Sequence, residues 1–221
     1  MSKSKGNVVS PDPFVERYGS DVFRMYLMFM GPFTDGGDWS DTGIKGIDRF
    51  VQRVWKTLSE KSNAKTKDDK ETLTKLHRTI KSVTEGYETL HFNTAIASMM
   101  ELLNVLEQKA SISTDTAMIF AKLLSPVAPH LADELWSTFG SKEFIVDQEW
   151  PLFDPMLLVS DTMTIAVQVN GKLRGTVTIA SNASKEDIIA EAKKEPNVAK
   201  YIEMGVKKEI YVTSKLVSFV V

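Results

Sequence analysis

Residues 162–179 read TMTIAVQVNGKLRGTVTI, and their rhythm decides how the whole chain divides. Ile165, Val167 and Val169 recur at every second position, Asn170-Gly171 interrupts, and Leu173, Val177 and Ile179 resume an apolar row. A period of two marks a strand with one buried face, and Asn-Gly supplies the backbone freedom that a tight reversal needs. The stretch is therefore a β-hairpin. If Asn170-Gly171 alone made the turn, Val169 would stand opposite Lys172, placing the apolar row of one strand beside Lys172, Arg174 and Thr176. A one-residue slip turns every side chain to the other face. A three-residue loop or a bulge would pair Val169 with Leu173 and Val167 with Gly175, and the longer turn is the expectation.

Beyond the hairpin, Ser184 caps a helix through about Lys194, and Pro196 opens a shorter helical piece to Met204. VKKEIYV (206–212) and KLVSFVV (215–221) are two further strands. The order β-β-α-α-β-β over residues 162–221 describes a small α+β domain.

Upstream the period is helical. Asp12 caps a short helix with Pro13 at its first position, ending at Tyr18 and Gly19. Ser20 caps an apolar helix, Asp21 to Met30, stopped by Gly31-Pro32. Ser40 is the expected cap of a long helix whose Ile44, Ile47, Phe50, Val51, Val54, Trp55 and Leu58 keep three- and four-residue spacing. A polar, lysine-rich link, EKSNAKTKDDKE (60–71), leads to a helix carrying Leu73, Leu76, Ile80, Val83 and Tyr87. Another follows from Asn93, its expected cap, with Ile96, Met99, Met100, Leu103 and Leu106. The next runs from Thr114 to Leu124, and after Pro126 and Pro129 a last one covers His130 to Phe139. The fold class is thus mainly α, an antiparallel helical bundle followed by the α+β domain. The expected divisions are 1–39 (an opening loop and short helices), 40–150 (the bundle), 151–161 (a proline-bearing linker) and 162–221.

In a chain of 221 residues, 43% hydrophobic and 25% charged, a real core forms and general disorder is excluded. The formal net charge of -2 excludes a protein that is basic all over, though not one with a local basic face. With no cysteine, disulfides and thiolate zinc sites are excluded within the chain. No apolar run reaches the roughly 20 residues of a membrane span, so no membrane partner and a cytoplasmic location are expected. Asp35, Asp38 and Asp41 lack the terminal glutamate of a calcium loop, so no metal is expected. His130, at a helix start, reads as a packed or capping histidine. Trp39, Trp55 and Trp136 read as packing residues.

The motifs go further than the periods. MSKSKGNVV (1–9) resembles the end of the K-M-S-K-S signature of class I aminoacyl-tRNA synthetases. RYGSDVFRMYLMF (17–29) and GGDWSDTGIKGIDRFVQRVW (36–55) resemble the entry to their tRNA-binding bundle. HRTIKSVTEGYETLHFNTAIASMMELLN (77–104) and LLSPVAPHLADELW (123–136) resemble its interior in the leucyl, isoleucyl and valyl group. VQVNGKLRGTVTI (167–179), AKYIEMGVKKEIYV (199–212) and KLVSFVV resemble the compact C-terminal domain of bacterial leucine–tRNA ligases and argue against a valyl or isoleucyl origin.

The resemblance implies a C-terminal part beginning inside the signature, since the signature's first lysine and the family's H-I-G-H motif have no counterpart here. His77, His91 and His130 stand in no such setting. It implies that Lys3, with Ser2 and Ser4, contacts ATP phosphates in the complete enzyme, where a positioned ammonium stabilises the charge growing on departing pyrophosphate. Without the nucleotide fold that loop cannot hold ATP, so the chain by itself is expected to be non-catalytic and to have no cofactor. The implied partners are tRNA(Leu) and the enzyme's catalytic and editing domains, the assembly being monomeric. Candidate tRNA contacts are Lys172 and Arg174 on one strand face, Lys207 and Lys208 at the start of another, and Arg49, Arg53 and Lys56 on one helix face. The rival readings are a stand-alone RNA-binding protein derived from a synthetase and a helical scaffold for a protein partner.

Overall fold

The computed structural model describes residues 8–221 except 33, 36, 38, 41, 159–161, 181, 182, 204 and 214. It is helix-rich with small sheets, and divides into two compact units, residues 1–158 and 159–221.

In the first unit the helices are α1 (Asp12–Tyr18), α2 (Ser20–Phe29), α3 (Ile44–Lys61), α4 (Lys70–Glu88), α5 (Phe92–Gln108), α6 (Thr114–Leu124) and α7 (Pro129–Thr138). They share one core. Ile44, Ile47, Phe50, Val54 and Leu58 of α3 meet Leu76 and Ile80 of α4, Ile96, Met99 and Leu103 of α5, and Phe120 and Leu124 of α6. Each such side chain, fully buried, contributes roughly 1.5–3 kcal/mol. Trp55 departs from the expected stripe. One position past Val54 it falls on the flank of α3 and is 38% exposed. Trp136 is buried, and Trp39 packs edge-on against Phe14 and Tyr26, with ring centroids 4.6 and 5.2 Å away.

Four expected caps are replaced by neighbours: at α1 the N-cap is Pro11, which leaves Asp12 inside the first turn, and at α3 it is Gly43 in place of Ser40. At α2 the N-cap is Gly19, with no side-chain cap, and at α5 it is His91, which leaves Asn93 inside the first turn. Ser40 lies before α3, held at its backbone by the Tyr26 hydroxyl, which accepts from Ser40 N at 3.0 Å and donates to Ser40 O at 2.9 Å. At the start of α7 the cap comes from another helix. Asp21 of α2 accepts from Leu131 N (2.9 Å) and pairs with His130 Nδ1 (2.8 Å) and Arg24 (2.8 Å). The His130 side chain itself is 74% exposed, so it flanks the cap and does not pack into the core.

The lysine-rich link is a structural joint. Strand β1 (Ser62–Asn63) pairs in parallel with β2 (Ile112–Ser113). Asp68 accepts from Ser113 N (3.0 Å), Ser113 Oγ and Thr116 Oγ1 (2.7 Å) at the start of α6. Asp69 caps α4 by accepting from Thr72 N (2.8 Å), and its other oxygen meets Lys109 (2.8 Å). The bond from the Lys109 ammonium, reinforced by Thr72, holds the Asp69 carboxyl down to about 2. Lys61 closes the end of α5, donating to the Glu107 and Lys109 carbonyls at 2.5 and 2.8 Å.

The connection expected over 151–161 belongs, as far as residue 158, to the helical unit. Trp150 Nε1 donates to Thr84 (2.8 Å), Asp154 N donates to His77 Nδ1 (2.9 Å), and Arg78 donates twice to the Leu158 carbonyl (3.1 and 2.9 Å). All three anchors are on α4, with His77 and Thr84, two turns apart, on one face and Arg78 next to His77.

In the second unit, β3 (Thr162–Val169), β4 (Lys172–Ala180), α8 (Lys185–Lys194), α9 (Pro196–Ile202), β5 (Lys208–Val212) and β6 (Leu216–Val220) form a sheet in the order β4-β3-β6-β5 with two helices. The central pair β3–β6 is parallel and both outer pairs are antiparallel. Ile165, Val167 and Val169 of β3 with Val177, Val217 and Phe219 face Ile188, Ile189 and Ala192 of α8 and Val198 of α9. Ser184 caps α8, accepting from Asp187 N at 3.1 Å.

The hairpin corrects the expected turn. Asn170 (φ 49) and Gly171 (φ 76) form a two-residue reversal, so Val169 pairs with Lys172, and Leu173 stands opposite Gln168. The register then shifts between Val167 and Gln168, and Val167 pairs with Gly175. Both central residues adopt the positive φ of the tight turn that suits strand twist. The bulge one step further in absorbs the extra residue and returns the apolar row to the core.

Candidate nucleic-acid interface

The sheet register gathers basic side chains that are far apart in sequence. Because β3 and β6 run parallel, the hairpin turn lies beside the end of the chain. Asn170 N donates to Phe219 O (2.9 Å), and Val221 N donates to Asn170 Oδ1 (3.2 Å). At the same end β5 begins, with Lys208 opposite Val220 and Lys207 N donating to Val220 O (2.7 Å). Lys172 on one outer strand and Lys207 and Lys208 at the other therefore occupy one end of the four-stranded sheet. Three strand spacings of about 4.8 Å separate them, roughly 14 Å. All three are exposed, and among the described residues their ammonium groups meet no carboxylate.

Arg174, the fourth expected contact on this unit, is placed differently from Lys172. It falls in the bulge, half-buried, with its guanidinium carbon 4.0 Å from the centroid of the Tyr201 ring. Its Nε is buried with no hydrogen-bond acceptor among the described residues. Lys200 reaches the same ring at 5.4 Å. Lys200 and Tyr201 are site residues that sequence reasoning missed. Their one signal was a lysine beside an aromatic in AKYIEMG, which does not reveal that α9 lies next to the bulge.

The α3 stripe is not a uniform basic face. Arg53 is engaged across helices, donating to Glu107 through Nε (2.9 Å) and Nη2 (2.5 Å), and to Asn104 Oδ1 (2.6 Å). That bidentate bond raises the Arg53 pKa and lowers that of Glu107. Among the described residues Arg49 bonds only the Lys45 carbonyl, at 3.3 Å, and Lys56 is exposed. Two cations of the expected three thus face solvent without a carboxylate partner among the described residues.

Ser2, Lys3 and Ser4 lie outside the described residues, as do Asp38 and Asp41. Among the described residues no group of His, Asp and Glu could hold a metal ion. No described helix is long and apolar enough to cross a membrane.

The profile of the family described as the anticodon-binding domain of tRNA ligase matches residues 69–190, more than half of the chain. The chain belongs to this family. The match runs from the cap of α4 into α8, so it takes in the bulged hairpin. A second profile, tRNA synthetases class I (M), matches residues 1–64. Over its whole length this member of the tRNA-ligase family is 46% identical to a leucine–tRNA ligase of Chlorobaculum parvum and 42% identical to that of Clostridium beijerinckii. The chain spans 28% and 29% of the length of those two relatives. Among solved structures, the agnB2 LeuRS of Agrobacterium radiobacter K84, crystallised in a ternary complex with tRNA and LeuAMS, matches with a TM-score of 0.77. That likeness covers the whole chain and 31% of the other, at 29% identity.

Proposed function

We propose that the chain is the tRNA-positioning part of a leucine–tRNA ligase, with the helical unit acting as the bundle that carries tRNA(Leu) and the small sheet domain as a separate contact. The observation that carries this reading is the gathering of Lys172, Lys207 and Lys208 at one end of the small sheet, with Arg174 beside them. It is supported by kinship over the full chain with leucine–tRNA ligases. Residues 159–221 hold nine Lys and Arg against seven Asp and Glu in a chain whose net charge is -2, so positive charge concentrates in this unit. Such a cluster neutralises phosphates by releasing counterions, which gives affinity without reading bases. On the helical unit, Arg49 and Lys56 are the secondary contacts.

In this reading the work of the chain is orientation, which lowers the entropic cost of bringing an acceptor end to a reacting centre. ATP chemistry belongs to the rest of such a ligase, with Lys3, Ser2 and Ser4 serving the phosphates only in that context. The chain alone carries out no aminoacylation.

The test is a salt-titrated binding assay with tRNA(Leu) and a tRNA of short variable arm, using wild type and Lys172→Ala/Arg174→Ala. Two lost phosphate contacts reduce the slope of log K against log salt by roughly 1.4–1.8 and weaken binding to tRNA(Leu). Equal binding of both tRNAs, or a slope unchanged by the double substitution, would refute the assignment.

A further inference from the structure

Building on the tRNA contact proposed for Arg174, we infer that Tyr201 is its positioning residue: the ring holds the guanidinium flat in the bulge as a phosphate clamp. Three observations converge on it. The guanidinium lies 4.0 Å from the Tyr201 centroid, within the range of a cation–π contact. Its Nε is buried without an acceptor among the described residues, so no hydrogen bond fixes the group from that side. Gly175, the next residue, packs so closely on the α8–α9 junction that an added Cβ would lie 2.6 Å from Glu195 Cγ. The bulge is thereby pressed against α9, and Arg174 turns onto the helix-bearing side of the sheet.

The choice of an aromatic partner has a chemical consequence. A carboxylate would hold Arg174 equally well but would neutralise it, as Glu107 does for Arg53. A ring orders the planar group and leaves its charge and its terminal N–H fork available to a bidentate oxyanion. Glu195, although its side chain lies against Gly175, makes no ion pair with Arg174. Lys200 reaches the same ring at 5.4 Å while bonding Asn197 Oδ1 at 3.3 Å. Two cations on one ring repel each other, and a phosphate between them relieves that repulsion.

The experiment is a double-mutant cycle on the whole chain, read as tRNA(Leu) affinity and salt slope. Tyr201→Leu keeps every charge yet should weaken binding roughly three- to tenfold and reduce the salt slope by up to about 1. Tyr201→Phe, which keeps the ring, should stay within about twofold of wild type. In Arg174→Ala, adding Tyr201→Leu should change little, whereas with Lys172→Ala the effects should multiply. Independently of RNA, the Arg174 Hδ resonances should be shifted upfield by the ring in wild type and Tyr201→Phe and not in Tyr201→Leu. Arg174 shifts at solvent-exposed values in wild type would overturn the positioning role. So would a neutral Tyr201→Leu beside a weakened Arg174→Ala, or a loss by Tyr201→Leu that persists in full without Arg174. Arg174→Ala and Lys172→Ala both behaving as wild type, or no binding by the wild-type chain, would instead overturn the tRNA-contact reading on which the inference rests. Amide spectra of each variant separate these outcomes from unfolding of the small domain.

Discussion

Asp21→Ala should destabilise the helical unit by about 2 kcal/mol. Asp21 is only 8% exposed, and its Oδ2 is the acceptor for Leu131 N at 2.9 Å, the first-turn amide of α7. Loss of a helix cap costs about 0.5–2 kcal/mol, and a buried amide left without an acceptor about 1–3 kcal/mol. Both figures describe the same lost bond, so they do not add. The ion pairs contribute little beyond this, because the partner side chains of Arg24 and His130 are 35% and 74% exposed. Asp21→Asn keeps a neutral acceptor and should lose about half as much, and His130→Ala less than about 0.5 kcal/mol. The assay is urea unfolding followed by tryptophan fluorescence, which reports on this unit alone since Trp39, Trp55, Trp136 and Trp150 all precede residue 159. With a denaturant slope of roughly 2 kcal/mol per molar, Asp21→Ala should lower the midpoint by about 1 M. A shift below about 0.25 M for Asp21→Ala, or a His130→Ala loss equal to it, would refute the cap.

Two further outcomes are expected. Burial lowers the His77 pKa below its ordinary value, with nearby Asp154 opposing, and Nδ1 accepts from Asp154 N, which only the neutral ring can do. The folded state therefore binds fewer protons here than the unfolded state. Attachment of residues 151–158 to α4 should be complete above about pH 6.5 and loosen as pH falls through the lower folded value, read as faster amide exchange at Asp154; exchange independent of pH after correction for intrinsic rates would contradict it. Gly175→Ala should destabilise the small domain by about 1–3 kcal/mol, because its Cβ would lie 2.6 Å from Glu195 Cγ. Glu195→Ala removes that atom and should restore amide protection in residues 162–180, and failure to restore it would place the strain elsewhere.

Boundaries of the long helices, and the switch from helix to alternating strands at residue 162, were legible because burial imposes a period on the chain and the period survives in one dimension. Caps were less legible. Ser184 is local to its helix and was read correctly, whereas the α7 cap comes from Asp21, 110 residues upstream. The lysine-rich link was read as a connection because its partners, Ser113, Thr116 and the end of α5, lie about 45 residues away. At the candidate interface Lys172, Lys207 and Lys208 were named from sequence, while Lys200 was not. Arg53 was named with them, and no local pattern reveals that Glu107 on another helix neutralises it.

The sequence by itself determined the main helices and strands, most of the residues of the two cores, and the family kinship, all of which follow from residue order; Trp55 and Leu173, read into the apolar rows, are exposed. The hairpin shows where that determination ends. Asn170-Gly171 specified a reversal, but the turn length was settled by keeping Val167 in the core opposite Gly175, and this required a bulge at Arg174. Once the bulge formed, α9 could bring Tyr201 to Arg174, and the parallel β3–β6 pairing could bring Lys172 to the end of the sheet that holds Lys207 and Lys208. Charges near in sequence but neutralised, and charges distant in sequence but clustered, are distinguished only by long-range packing. Electrostatic interactions depend on distance in space and on the partners found there, and the order of residues along the chain does not encode either directly.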